Sequence, residues 1–198
     1  MNRFQNTALV LGLSLCINCL PAIADSQGKF PGIGSAEAYH RTVDICQRAE
    51  LCYKKGDYET ACTLYKKAIS IYPHDSATHQ NLGNALRKVG KLEESATCQK
   101  KAIELEPNFV SAWLGLGMSY EFMHKLTEAE KCYRTAVRIK PDSYGAVFDL
   151  GDILRQQGKY AEAKTWLTRA KLCPKNDPNE LDNALRLCDQ HMSKEASN

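Results

Sequence analysis

A chain of 198 residues, with 26 basic against 23 acidic side chains and a formal net charge of +3, has room for one domain or one short array. So small a charge excess gives no electrostatic footprint for nucleic acid or for an anionic membrane surface. Nine cysteines make the redox compartment matter, and the amino terminus speaks to that.

Residues 1–24 read as a secretory signal peptide. Arg3 is their only charge, the run from Ala8 to Leu20 is largely apolar, and Ala22-Ile23-Ala24 is a small-residue cleavage site. The alternative, a retained membrane anchor, needs ~20 apolar residues, and this run is shorter. Leu15 before Cys16 argues against a lipoprotein cysteine, and Cys16 with Cys19 lacks the following His of a haem-attachment site. The leader takes one base and no acid with it, so the mature chain is still closer to neutral. After Ala24 no stretch is apolar for long enough to span a bilayer. The chain is therefore expected to be exported, periplasmic or secreted, and free of a membrane span.

Residues 25–41 carry Pro31 and three glycines and read as a lead-in, with Ser35 placed to cap a helix from Ala36 to Lys55. A period then takes over. Pro73, Pro107, Pro141 and Pro174 are spaced 34, 34 and 33 residues apart. The clearest unit is 110–143, in which Trp113, Leu116, Gly117 and Tyr120 precede Ala129, Tyr133, Ala136 and Pro141. That spacing resembles the tetratricopeptide repeat (TPR), a helix–turn–helix unit of about 34 residues, and every signature place is filled. Unit 42–75 keeps Ala61, Tyr65, Ala68 and Pro73, but Ile45, Arg48, Ala49 and Cys52 replace its early signature. Unit 76–109 keeps Leu82, Gly83, Ala102 and Pro107, with His79 and Leu86 as substitutes. Unit 144–177 keeps Leu150, Gly151, Ala163 and Ala170, with Val147 and Leu154 in the large places. Asp177, Pro178 and Glu180 then offer a cap, a first helical position and a capping-box acid for a covering helix over 178–192. Residues 193–198 read as a frayed tail. The resemblance implies an all-α, right-handed α-solenoid of four units closed by that helix.

Each signature residue has a packing reason. Ala68, Ala102, Ala136 and Ala170 share one place on the second helices, where a larger side chain would overpack by ~1–3 kcal/mol. Gly83, Gly117 and Gly151 permit close approach on the first helices. Gly56, Gly90 and Gly158 stand where a left-handed residue ends a first helix, and His124 stands there in unit 110–143. Tyr58, Leu92, Leu126 and Tyr160 plug the start of each second helix. Trp113 is expected between its own two helices and the preceding unit.

No phosphate loop, nucleophile elbow or H-E-x-x-H is present, and the five histidines are scattered. The chain is read as non-enzymatic, with no metal and no cofactor. Seven cysteines follow the leader. Cys52, Cys98, Cys132 and Cys173 stand at core-type places and fit as small buried hydrophobes. Cys52 and Cys62 flank the Gly56-Asp57 turn symmetrically, so antiparallel helices would bring them level, and they are a candidate disulfide. Lys66, Lys67, Lys100, Lys101, Arg134 and Arg169 recur on the second helices. They form either a basic stripe or a solvated face laced with pairs such as Glu130–Arg134.

In proteins that this sequence resembles, first helices line an inner groove at fixed places in each unit. By that resemblance the lining includes Tyr53, Asn84, Arg87 and Lys88, then Leu114, Met118 and Phe122, and finally Phe148, Asp152 and Arg155. Leu114, Met118, Phe122 and Phe148 would form an apolar floor, with Asn84, Arg87 and Lys88 as bordering donors. Such a groove suits a peptide with apolar anchors and a nearby acidic group. The clamp that some cytosolic relatives close on a carboxyl-terminal Asp is missing: Asn84 is present, but Gln80, Gly115, Gly145 and Asp149 fill its other places. The expected function is a scaffold that binds a protein or peptide partner in the groove; the alternative is a structural, self-associating array.

Overall fold

A computed structural model describes residues 36–174 and 178–195. The leader, most of the lead-in with Ser35, the cap Asp177 and residues 196–198 lie outside the described residues. Among those described are nine helices and no strand. They are α1 (Ala36–Lys54), α2 (Tyr58–Ile71), α3 (Ser76–Lys88), α4 (Leu92–Leu105), α5 (Val110–Phe122), α6 (Leu126–Ile139), α7 (Tyr144–Gln156), α8 (Tyr160–Ala170) and α9 (Pro178–Glu195). The covering helix thus continues through Ser193 to Glu195 and does not fray after Met192.

Local chemistry sets the ends. Asp57 accepts from Thr60 N at 3.1 Å to open α2, and Asp75 accepts from Thr78 N at 2.9 Å to open α3. The other second helices have no side-chain cap; each begins on its half-buried plug, Leu92, Leu126 or Tyr160. The turns between paired helices need a positive φ. Gly56, Gly90 and Gly158 supply it at 84°, 86° and 79°, and His124 adopts 57° in the same place. An L side chain tolerates that region poorly, which is why glycine fills the other three turns.

Each helix packs on the next one along the chain, and α3, α5, α7 and α9 also touch one another in sequence. First helices therefore share one continuous surface, closed at its far end by α9. The result is a helical solenoid of helix–turn–helix units with a carboxyl-terminal helix. Ala68, Ala102, Ala136 and Ala170 are all 0% exposed, so each second helix packs there with only a methyl group against the helices before and after it. Trp113 is only half-buried. It packs against core residues on both of its sides, while its indole N–H reaches out to Pro107 O at 2.9 Å. The fully enclosed places in that unit belong to Ala112, Ser119, Ala129, Tyr133 and Ala136 instead.

The core is not one continuous body. A large cluster runs from Ala129 to Cys188, a smaller one joins Ala49, Ala61, Cys62 and Tyr65 to Leu82, Ala85 and Leu86, and a third joins Ala96 of α4, Leu116 of α5 and Cys132 of α6. Beside the third, at the α4–α5 seam, lies a buried polar layer. Ser95 Oγ donates to Gly83 O at 2.7 Å and meets Ser119 Oγ at 2.9 Å. Gln99 is 0% exposed, and its Nε2 donates to Asn84 Oδ1 at 3.1 Å and Gln80 O at 3.2 Å. Gln99 occupies the place that Tyr65 and Tyr133 hold in their units, and it fills the space beneath Gly83 and Gly115.

On the second helices the recurring cations are mostly engaged. Lys66 pairs with Glu94, Lys101 with Glu104, and Lys100 lies 5.8 Å from the Tyr120 ring centroid. The tightest group joins α6 to α8: Glu130 accepts from Arg134 at 2.7 Å and Lys159 at 2.8 Å, and Arg134 also reaches Glu162 at 2.6 Å. Burial would push the Glu130 carboxyl up, but the hydrogen bonds from Lys159 and Arg134 outweigh it and hold it at about 2. That lies below the ordinary 4.5, so the stability it contributes is present above pH 4.5 and lost as the pH falls toward 2. Glu130→Gln should flatten the decline of the denaturant midpoint across that window. An unchanged acid slope would show that other carboxylates set it.

Candidate functional site

The first-helix surface brings together residues that the sequence separates by whole units. Arg87 of α3 lies over the ring of Phe122 of α5, with the guanidinium carbon 5.7 Å from the ring centroid. Phe122 is 61% exposed, so a large aromatic ring stands uncovered beside a cation. Leu114 and Met118 are half-buried and pack onto the large core cluster from the same face. Tyr53 is half-buried against Tyr58, its hydroxyl pushed up by burial and pulled back by Arg87. Asn84 spends its side-chain oxygen on Gln99, and Lys88 is exposed.

One predicted anchor is misplaced. Phe148 is only 9% exposed; it stacks on Tyr144 with ring centroids 5.6 Å apart and belongs to the core cluster that includes Leu181 and Ala184 of α9. It holds the wall rather than offering a ring to a ligand. Its stacking on Tyr144 and its place among the core residues of the last unit account for the difference.

The far half of the surface is acidic. Glu121 accepts from Tyr133 OH at 2.8 Å and from Gln156 Nε2 at 2.6 Å. Asp152 binds Arg155 at 2.7 Å and accepts from Gln156 at 2.9 Å. Asp149, on the same helix as Asp152, is a third carboxyl, which sequence reasoning used only as evidence against a clamp. Burial raises its carboxyl, Glu121, Asp152 and Glu180 raise it further, and Arg87 only partly offsets them, leaving it at about 7. The signal was available in the sequence: an acid at the sixth place of a unit, flanked by lining acids from the same unit and the one before.

Cys52 and Cys62 are both free thiols in this structure, so the candidate disulfide is not formed. Cys62 is buried and lines a cleft with Leu86, Val89 and Lys91 of the next unit. Cys132, Cys173 and Cys188 are buried as small core side chains, whereas Cys98 is half-buried. Among the described residues no helix is long and apolar enough to cross a membrane.

Three family models, all described as tetratricopeptide repeat, match residues 35–106, 98–131 and 119–180. The chain is built of tetratricopeptide repeats. Among solved structures, this TPR array is similar to a thermophilic TPR protein of Thermus thermophilus, with a TM-score of 0.66 and 18% identity over 76% of this chain and 82% of that one. It is also similar to the first TPR domain of Spaghetti (RPAP3) bound to the HSP90 peptide SRMEEVD, at TM-score 0.57 and 20% identity over 69% of this chain and 98% of that one. The second TPR domain of human RPAP3, in complex with the HSP70 peptide SGPTIEEVD, gives TM-score 0.56 and 26% identity over 59% and 97%. No match is found among the curated proteins. At the places where a carboxylate clamp would stand, this TPR array has Asn84, its side-chain oxygen accepting from Gln99, and an acid at Asp149.

Proposed function

We propose that this TPR protein is an exported, non-enzymatic scaffold that binds a protein partner by seating a peptide segment of it along the first-helix groove. The observation that carries the reading is Phe122: a ring left 61% exposed, flanked by Arg87 and by the half-buried Leu114 and Met118. Exposed aromatic rings beside a cation are common anchors of peptide recognition. The peptide-bound RPAP3 domains support a peptide as the ligand class, because the same fold holds one there. The leader features of residues 1–24 support export.

The partner should be captured from the native exported fraction on the immobilised chain and titrated by calorimetry. Phe122→Ala should weaken it by ~1–3 kcal/mol while leaving the melting curve in place. Equal affinity for Phe122→Ala and wild type would remove the groove assignment. Leu51 and Leu172, exposed apolar side chains toward opposite ends of the array, favour a self-associating array as the second reading. Light scattering on the purified chain separates the two, since a monomer at working concentration disfavours self-assembly.

A further inference from the structure

Along the groove, a residue in the last turn of one first helix meets the residue 35 positions later, on the next first helix. Glu121 accepts from Gln156 Nε2 at 2.6 Å across that offset of 35, and Arg87 lies over Phe122 across the same offset. Tyr53 and Lys88 form the third such pair. The offset sets Lys88 beside Tyr53, so that Lys88 and Arg87, adjacent in the chain, stand between two aromatic rings. The Arg87 charge is felt at the Tyr53 hydroxyl, which agrees with that order.

The charges of this patch are unmatched. Elsewhere in the groove Lys54 pairs with Glu50 at 2.6 Å and Arg155 with Asp152 at 2.7 Å. Arg87 and Lys88 make no ion pair among the described residues; Asp149 feels Arg87 but stands beyond pairing distance of it. Both cations lie in the last turn of α3, where the helix dipole favours them, but that gives no reason for the uncovered ring beside them. The patch is also open. Phe122 is 61% exposed and Lys88 is exposed. Arg87 is half-buried, and only its Nε is both enclosed and without an acceptor; its two terminal nitrogens reach solvent.

A guanidinium held over a ring keeps its edge donors free to take a carboxylate in two parallel hydrogen bonds. In an extended peptide, neighbours on one face are two residues and about 7 Å apart. That is close to the 5.7 Å between the guanidinium carbon and the ring centroid. We propose that the half of the groove nearer the amino terminus takes an extended segment of a partner protein in which an Asp or Glu, held by Arg87 and Lys88, stands two residues from a large apolar side chain held against Phe122. This rests on the groove reading above and adds the chemistry and spacing of the ligand. One carboxylate side chain within the segment satisfies the patch, so no free carboxyl terminus is required, unlike a clamp that closes on a terminal Asp.

The test pans random peptides, displayed on phage inside a coat-protein loop so that neither peptide end is free, against the full chain. A labelled selected peptide is then measured by anisotropy. Selected sequences should carry Asp or Glu two residues from a large apolar side chain, and affinity should fall as salt rises. Lys88→Glu, at an exposed place, should weaken the selected peptide by about tenfold or more while the melting curve stays in place. Replacing the selected acid by its amide should cost wild type about tenfold and the Lys88→Glu variant much less, since the two changes remove one interaction. Enrichment of basic peptides, of no charge preference, or of nothing overturns the inference, as does a Lys88→Glu variant that binds like wild type. Acid-free apolar peptides that Phe122→Ala weakens would sink the carboxylate and leave the groove standing. Selected peptides indifferent to Phe122→Ala would sink the groove itself.

Discussion

Tyr133→Ala should destabilise the chain by about 3–5 kcal/mol, the largest effect of any single substitution considered. The ring is 0% exposed and is the largest fully buried side chain among the described residues. It lies against Gly117, where an added Cβ would stand only 2.5 Å from the ring carbon Cε1, so the glycine is there to admit it. Removing the ring leaves a hole that a glycine backbone cannot fill. It also removes the hydroxyl that donates to Glu121 at 2.8 Å. Because units in an array support only their neighbours, the loss should spread through the cluster that ends on Leu181, Ala184 and Cys188 of α9. Urea unfolding followed by far-ultraviolet dichroism measures it. A change below about 1 kcal/mol would mean the cavity collapses or the ring is misplaced.

Phe148→Ala is expected to come second, at about 3 kcal/mol or more of stability. The same change at Phe122 should stay within about 0.5 kcal/mol, as at other surface sites. The two residues look alike in the repeat pattern, both being large and aromatic at groove places. They differ in burial: Phe148 is 9% exposed, stacked on Tyr144 within the large core cluster, while Phe122 is 61% exposed beneath Arg87. Parallel denaturation of both variants decides the point, and equal losses would return Phe148 to the ligand surface.

The features that depend on one unit alone were readable in the sequence. The turn glycines have the positive φ their spacing demanded, His124 included, and the four stacked alanines are fully buried. What could not be read depends on a neighbour. Whether Phe148 is open rests on how the last unit packs around it. Trp113 is half-buried because its indole N–H turns out to Pro107 O. Cys52 and Cys62 looked symmetric about a turn, but Cys62 packs toward the next unit, a contact that no midpoint rule contains. Gln99 was passed over because it breaks the pattern at a place where Tyr65 and Tyr133 keep it, although a polar side chain at an aromatic place is itself a signal. Asp149 was weighed for the clamp it lacks and not for the charge it brings.

The Ser95–Gln99–Ser119 layer has a bearing on reciprocity. Arg87 stands on one side of that layer and Phe122 on the other, yet they touch. A ligand held by both would span the helices that this polar layer joins. Its binding free energy is then also a coupling term between the two halves of the array. By reciprocity, whatever such an occupant adds to the stability of the joint equals the gain in its own affinity when the joint is already formed.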